Sequence, residues 1–413
     1  MSKTAEIISV GTELLLGNIA NTDAQVISQG LSELGINVYF HTVVGDNPER
    51  IRSALEIAKG RADIIITTGG LGPTYDDITK EEIAGSFGKR LVVHEPSLER
   101  IRGYFDRAGI TPTKNNQKQA MLPEGCTVFD NEWGTAPGCA FEADGKHVVM
   151  LPGPPRECTP MFRECAMPYL RKLSDAVLVS RNIRIFGMGE SAVEDALSNY
   201  MKSHVNPTIA PYAKEGEVML RVTARAGTKE EAFEMTVPVV EEICARLGSV
   251  VYGVDVESLE QAVSGLLRKE GLTLAAAESC TGGMFSKRIT DLPGSSDIFR
   301  GTVVAYSNEV KTDILSVPGG IIRQYGAVSE QTARYMAENV RKHLKADMGI
   351  SITGVAGPAA SEAKPAGLVC FGISSAKGTK TFTYRFTGNR DRVRVSSVNR
   401  AFDIIRRHIL DID

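Results

Sequence analysis

The chain has 413 residues, 42% of them hydrophobic and 23% charged, so it can bury more than one core; at ~100–200 residues per domain it should hold two to four. A formal net charge of -3 gives no general reason to expect nucleic-acid binding and leaves small anionic metabolites as ligands. Seven scattered cysteines, odd in number and without a Cys-x-x-Cys pair, argue against a disulfide framework or zinc ribbon and fit reduced thiols in the cytoplasm.

The opening stretch, "MSKTAEIISVGTELL", lacks the apolar core and cleavage pattern of a secretory signal. No uncharged apolar run of ~18 residues follows, so neither export nor membrane insertion is expected. From there to residue 172, short β-branched runs alternate with amphipathic stretches: "AEIISVG", 22–34, "INVYFHTVVGD", 48–59, "DIIITTGG" and 78–87. Such alternation predicts an α/β domain with a parallel sheet covered by helices. "VVMLPGPPRE" at 148–157 reads as a last buried strand, followed by a helix that carries the chain out of the domain. Inside this domain "TTGGLGPTYDDIT", 67–79, joins a strand end to a helix through glycines and two acids. Asp76 and Asp77 allow two readings. Carboxylates beside glycines suit a hard cation that bridges phosphate oxygens, and acids at a helix start are also favoured by its dipole. The glycines alone fit any tight strand–helix connection.

Residues 173–255 change pattern: strand "RNIRIFG", helix 191–202, a strand near 207–212, strand "EVMLRVTARA", helix 229–247 and strand "SVVYG". This is a small split α+β domain, β-α-β-β-α-β. Ser191 and Glu194 have the spacing of a capping box, which makes "GMGESAVE" a helix start. The last domain, 256–413, begins with helix 258–270 and ends in the helix "DRVRVSSVNRAFDIIRRHIL".

In that last domain the run "TLAAAESCTGGMFSKRIT", 273–290, passes from a buried strand through a polar turn into a helix. Open α/β sheets place ligands at such strand ends. Free amides at the helix start can hold an anion, while Gly282 and Gly283 let a substrate approach the backbone. Ser279 or Thr281 is equally suited to be an N-cap. No histidine lies within 60 residues of Ser279, so no Ser-His arrangement is legible. A lysine can serve as base when it is neutral. Lys287, eight residues on, is ~12 Å away along a helix, too far for direct transfer. Lys311 follows "GTVVAYSNEVK", a second strand-to-helix turn able to reach the same sheet end, although a lone lysine is more often solvated.

The strings "AESCTGG", "LPGSSDIFRGTVVAYSNEVK", "YGAVSE", "SITGVAGP" and "GNRD", in this order, resemble the nicotinamide mononucleotide amidase (PncC) domain. "GTELLLGNIANTDAQ", "VGDN", "TTGGLGPTYDDIT", "GTAPG" and "LPGPPRE" resemble the molybdopterin-binding (MogA/MoaB-like) three-layer fold as it occurs in CinA proteins. The whole chain therefore resembles the competence/damage-inducible CinA family.

The resemblance implies a serine/lysine amidohydrolase that releases ammonia from nicotinamide mononucleotide and leaves nicotinic acid mononucleotide. Carried over, Ser279 is the nucleophile and Lys311 the base. Glu278, Thr281, Gly282 and Gly283 shape the substrate turn, and the 281–283 amides stabilise the oxyanion. Tyr306 and Asn308 line the pocket opposite Thr353, Gly354 and Gly357, and Arg390 or Arg392 meets the substrate phosphate; either arginine also suits a solvated helix face. The loop "GPAASEAKPAG" is shorter than the family's glycine-rich continuation. No cofactor is expected there.

For the first domain the resemblance implies hydrolysis of ADP-ribose to AMP and ribose 5-phosphate with a divalent metal. Asp76 and Asp77 would hold the metal, and Gly69, Gly70, Gly72, Thr74, Glu13, Asn18 and Asp23 would surround the phosphates. A homodimer is the family expectation. Membrane and nucleic-acid partners are not expected. Two further readings stay open: a non-catalytic partner of the recombination machinery, and a pterin-binding protein of the molybdenum-cofactor type.

Overall fold

The computed structural model describes residues 3–109, 113, 115–174, 176–214, 216–361 and 363–412. The chain divides into two compact units, 1–180 with 223–236, and 181–222 with 237–413. Residues 181–222 and 237–255, which the sequence pattern sets apart from the last domain, group with it in this division.

The first unit is built on a six-stranded sheet ordered Asn37–Val44, Thr4–Val10, Ile64–Thr68, Lys146–Leu151, Gly138–Ala143, Thr127–Phe129. Along its central strands both faces are buried. Ile7, Ile64, Ile66, Val149 and Leu151 pack on one side, while Ile8, Ile65, Val148 and Met150 pack on the other. Successive strand side chains point to opposite faces, so a strand covered on both sides reads as a continuous apolar run. Helix Thr22–Glu33 covers one face and helices Pro48–Arg61 and Thr79–Ser86 lie on the other, giving three layers.

Two expectations need correction. The sheet is mixed: Gly138–Ala143 runs antiparallel to both of its neighbours, and Asp144 and Gly145, both at positive φ (52° and 70°), form the tight turn that joins it to Lys146–Leu151 in a hairpin. Strand Lys146–Leu151 is the last strand of this sheet in chain order, as expected, and it lies in the sheet's interior. The helical stretch after it does not lead away, since Cys158, Met161, Phe162, Ala166 and Leu170 pack back onto the sheet.

Between residues 177 and 254 the chain forms a four-stranded sheet, ordered Thr208–Lys214, Glu217–Ala226, Val177–Phe186, Val251–Val254. Its helix Glu190–Ser203 starts before Ser191. Gly189 is the N-cap, with no side-chain cap bond, so Ser191 sits inside the first turn and the expected capping box does not form. The larger sheet is ordered Phe299–Val304, Leu274–Glu278, Met348–Gly354, Leu368–Ser375, Gly378–Arg385. The first three strands are parallel and the last two antiparallel. The connection after Leu274–Glu278 runs through Met284–Thr290 on one face of the sheet and the connection after Phe299–Val304 runs through Glu330–His343 on the other, which opens a crevice between the carboxyl ends of these two neighbouring strands. Ala275 and Ala277 face Met336 and Val340. Leu274 and Ala276 face the helix Arg390–Leu410 through Val398 and Phe402.

Candidate functional sites

Ser279 stands in that crevice. Its amide continues the ladder to Ile352 O at 2.9 Å, which fixes Ser279 to the end of the strand. Gly282 and Gly283 then turn the chain with φ of 58° and 93°, a region costly for side-chain-bearing residues. Lys311 arrives from the neighbouring strand through helix Asn308–Asp313, whose N-cap Ser307 accepts from Val310 N at 3.3 Å. The two side chains meet: Lys311 Nζ donates to Ser279 Oγ at 3.2 Å and to Ala305 O at 2.8 Å. Lys311 is 1% exposed and Ser279 8%. Lys287 points elsewhere, largely exposed and paired with Asp291 at 2.6 Å.

The neighbouring thiol is not a competing nucleophile. Cys280 is buried in the core, and burial pushes its pKa up to about 12, so the reactive thiolate is scarce at neutral pH.

A cleft of about 280 Å³ opens on the serine and lysine, lined also by Tyr306, Asn308, Thr353, Gly354, Gly357 and Arg390. Arg390 reaches Gly357 O at 2.8 Å and Tyr306 Oη at 3.3 Å. The Thr353 hydroxyl is committed to Ala327 O at 2.8 Å and shapes the wall. Lys364 donates to Tyr325 O at 2.7 Å and also to Val328 O, tying the short loop to the turn whose Ala327 and Val328 line the cleft.

Several expected residues take other positions. Arg392 does not line the cleft; its amide bonds the N-cap Asn389 at 2.9 Å. Glu278 is 0% exposed and behind the cleft. Its carboxylate accepts from Gly283 N at 3.0 Å, Phe285 N at 3.1 Å, Ser286 N at 3.0 Å and Ser286 Oγ at 2.5 Å, thereby capping helix Met284–Thr290 with a charge. That removes Gly283 from the expected oxyanion donors, and Gly282 N is taken by Ser279 O at 3.1 Å. Thr281, Gly282 and Gly283 do not line the cleft. Because C=O and N–H of a trans peptide point in opposite directions, the bond holding Ser279 O aims the Cys280 amide the other way. Cys280 lines the cleft; its N–H has no backbone acceptor among the described residues and lies against its own thiol. The amides of Gly282 and Gly283, expected as donors, are thus committed within the turn, and Cys280, directly after Ser279, was not among the residues singled out from sequence.

In the first unit a cleft of about 500 Å³ is lined by Glu13, Gly69, Gly70, Gly72, Thr74, Asp76 and Asp77. The glycines are required sterically: a Cβ on Gly69 would strike Val10 O and one on Gly70 the Thr79 hydroxyl. Asp46, Gln119 and Glu157 also line it and were not singled out from sequence, although "VGDN" and "LPGPPRE" contain two of them. Asn18 and Asp23 do not line it. Asp23 lies in the first turn of helix Thr22–Glu33 and is 7% exposed. Burial raises its carboxyl pKa to about 6, while a bond with Cys158 lowers it.

Asp77 Oδ2 accepts from Thr74 N at 2.9 Å and from the Thr74 hydroxyl. Among the described residues no group of three or more His, Cys, Asp or Glu is gathered for a metal. The adjacent carboxylates fit an ion of the magnesium kind, which keeps several waters and takes its other ligands from substrate phosphates. Among the described residues, no helix is long and apolar enough to cross a membrane.

Three family models match the chain: the CinA C-terminal domain over 256–409, the probable molybdopterin binding domain over 6–172 and the damage-inducible protein CinA KH domain over 180–253. A "CinA-like protein" of Dictyoglomus thermophilum is 51% identical over 408 residues, 98% of this chain and 99% of the relative. A "Putative competence-damage inducible protein" of Acetivibrio thermocellus is 48% identical over 409 residues, 99% of each. Among solved structures, the protein CinA "with unknown function" from Thermoplasma acidophilum is 35% identical, covering 41% of this chain and 98% of its own, at a TM-score of 0.38.

Proposed function

The chain belongs to the CinA family, and we propose that its C-terminal domain is a serine/lysine amidohydrolase that converts nicotinamide mononucleotide to nicotinic acid mononucleotide and ammonia. The observation that carries this reading is the 3.2 Å approach of Lys311 Nζ to Ser279 Oγ at the sheet's switch point. In its neutral form the Lys311 amine takes the Ser279 proton as Oγ attacks the carboxamide carbon. The Cys280 amide faces the oxygen that becomes negative, and one such donor contributes about 2.7–4 kcal/mol in acyl transfer. The Lys311 ammonium returns its proton to the leaving nitrogen, ammonia departs, and an ester to Ser279 remains. Water, deprotonated by Lys311, cleaves that ester to release the acid and restore Ser279. Arg390, at the cleft wall, suits the substrate's phosphate through its forked guanidinium.

Product analysis tests the assignment. Purified protein incubated with nicotinamide mononucleotide should yield nicotinic acid mononucleotide and ammonia in equal amounts, and Ser279→Ala should yield neither while keeping its circular dichroism spectrum. Equal turnover by the variant would return Ser279 to a plain role in the turn.

For the N-terminal cleft we propose ADP-ribose hydrolysis to AMP and ribose 5-phosphate. The glycine cradle of Gly69, Gly70 and Gly72 supports close approach of a diphosphate. Asp76 and Asp77 would hold a divalent cation, which would neutralise diphosphate charge when bound. AMP formation that persists undiminished in chelator, or in Asp76→Ala and Asp77→Ala, would remove the ion from the reading. The match to a molybdopterin-binding model favours a pterin as the second reading of this cleft. Over 180–253 acids outnumber bases and there is no Gly-x-x-Gly, the loop with which KH domains clamp a nucleic-acid backbone; this supports small-molecule work over strand binding.

A further inference from the structure

Beside the N-terminal cleft lies a second one of about 190 Å³. One wall is helix Glu95–Ala108, from which Arg100, Tyr104 and Arg107 line it; their spacing of four and then three residues puts them on one side of the helix. The other wall is the 130–137 stretch, with Asp130 and Glu132. Arg100 joins the walls through ion pairs to Asp130 Oδ2 at 3.1 Å and to Glu132 Oε1, which leaves each exposed carboxylate a second oxygen. The two clefts adjoin. Thr135 lines both, and Asn131, in the wall of the second, donates to Glu157 Oε2, in the wall of the first, at 2.8 Å. Gly134 packs so closely on the same carboxylate that a Cβ there would strike it. The larger cleft has no aromatic side chain among its described lining residues, whereas the second has Tyr104, 44% exposed and so open to a ligand.

We propose that the second cleft is the nucleoside subsite of the N-terminal site: it takes the adenosine half of ADP-ribose, with the base against the Tyr104 ring and the ribose hydroxyls donating to Asp130 and Glu132. The diphosphate then lies in the glycine cradle, on the other side of Thr135. The proposal rests on the reading of the larger cleft as a site for ADP-ribose. A glycine cradle does not discriminate between ligands that share a diphosphate. An aromatic ring does favour a ligand that carries a base, since every base presents a π-face to stack, and carboxylates favour one that carries ribose hydroxyls, as acids do in dinucleotide-binding folds.

The test is equilibrium binding to the full-length protein by calorimetry, using ADP-ribose, AMP, the 2′- and 3′-deoxy forms of AMP, and ribose 5-phosphate. Tyr104→Ala should weaken ADP-ribose and AMP on the order of tenfold, the loss of one stacked base, and leave ribose 5-phosphate unchanged. Tyr104→Phe, which keeps the ring, should bind every ligand as the wild type does. Because the ring is exposed, both variants should keep the wild-type melting temperature. The wild type should prefer AMP to at least one of its deoxy forms, and that preference should vanish when Asp130 and Glu132 are both replaced by alanine. AMP binding that ignores Tyr104→Ala, ribose 5-phosphate weakened as much as AMP, or a hydroxyl preference that survives the loss of both acids overturns the proposal. Binding of ADP-ribose without cleavage would refute the pyrophosphatase reading alone, and the affinity ratios would still judge the subsite. No binding of ADP-ribose or AMP to the wild type would refute both.

Discussion

Glu278→Gln separates a positioning role from substrate binding. The carboxylate accepts four hydrogen bonds, two on each oxygen, from a position that is 0% exposed. Glutamine keeps one acceptor oxygen, and its NH2 group must then face two donors. Hydrogen bonds to a charged group contribute about 1.5–3 kcal/mol each, so losing two predicts roughly 3–6 kcal/mol, with a smaller contribution from the lost charge at the start of helix Met284–Thr290. At about 2–4 °C per kcal/mol for a unit of this size, the melting temperature should fall by roughly 10 °C or more. The same turn carries Ser279 and the Cys280 amide, so kcat for ammonia release should drop as well, although Glu278 never touches the substrate. Thermal unfolding by circular dichroism and steady-state amidase assays on one preparation read both. A variant with unchanged melting temperature and kcat but a raised KM would refute the reasoning and return Glu278 to the substrate pocket.

Lys311→Met should abolish amidase turnover because methionine fills the stem's place but carries no proton, whereas Lys287→Met should retain it; the reverse pattern would reject the buried amine as base. Asp23→Asn should be more stable than wild type at pH 8 and about equal at pH 4. Its folded pKa of about 6 lies above the unfolded value of ~3.9, so ionisation costs stability progressively from pH 4 to 6 and fully above. The full cost is ~3 kcal/mol at most. Identical pH dependence of unfolding for variant and wild type would refute this. Cutting the chain between Gly253 and Ser258 should give a less stable amidase piece than one spanning 177–413. Phe186 and Tyr252 pack in the core of the C-terminal domain, and Arg406, 2% exposed, donates to Ser249 O at 2.8 Å. Equal melting temperatures for 256–413 and 177–413 would show that those contacts contribute nothing.

Local chemistry was sufficient wherever a structural element is decided by its own residues. The alternation of apolar runs and amphipathic stretches fixed an α/β chain, because the covering of a strand on two faces is written in its own side chains. Helix 258–270 could be read from a serine cap and the glycine after it, and the structure has Ser258 and Gly271 in those places. The strand-to-helix turns at Ser279 and Lys311 were legible for the same reason, as was the glycine cradle at 69–72. Tertiary structure decided what depends on which atoms meet across the sheet. The 32 positions that separate Ser279 from Lys311 become 3.2 Å only because their strands are neighbours. Glu278, one residue from Ser279, turns inward because strand side chains alternate, and its carboxylate caps a helix. Arg390 reaches the cleft while Arg392 does not, since two residues along a helix point to different faces. The cleft beside Tyr104 gave no signal in sequence, because it exists only where helix Glu95–Ala108 meets the 130–137 stretch and is a property of neither segment alone.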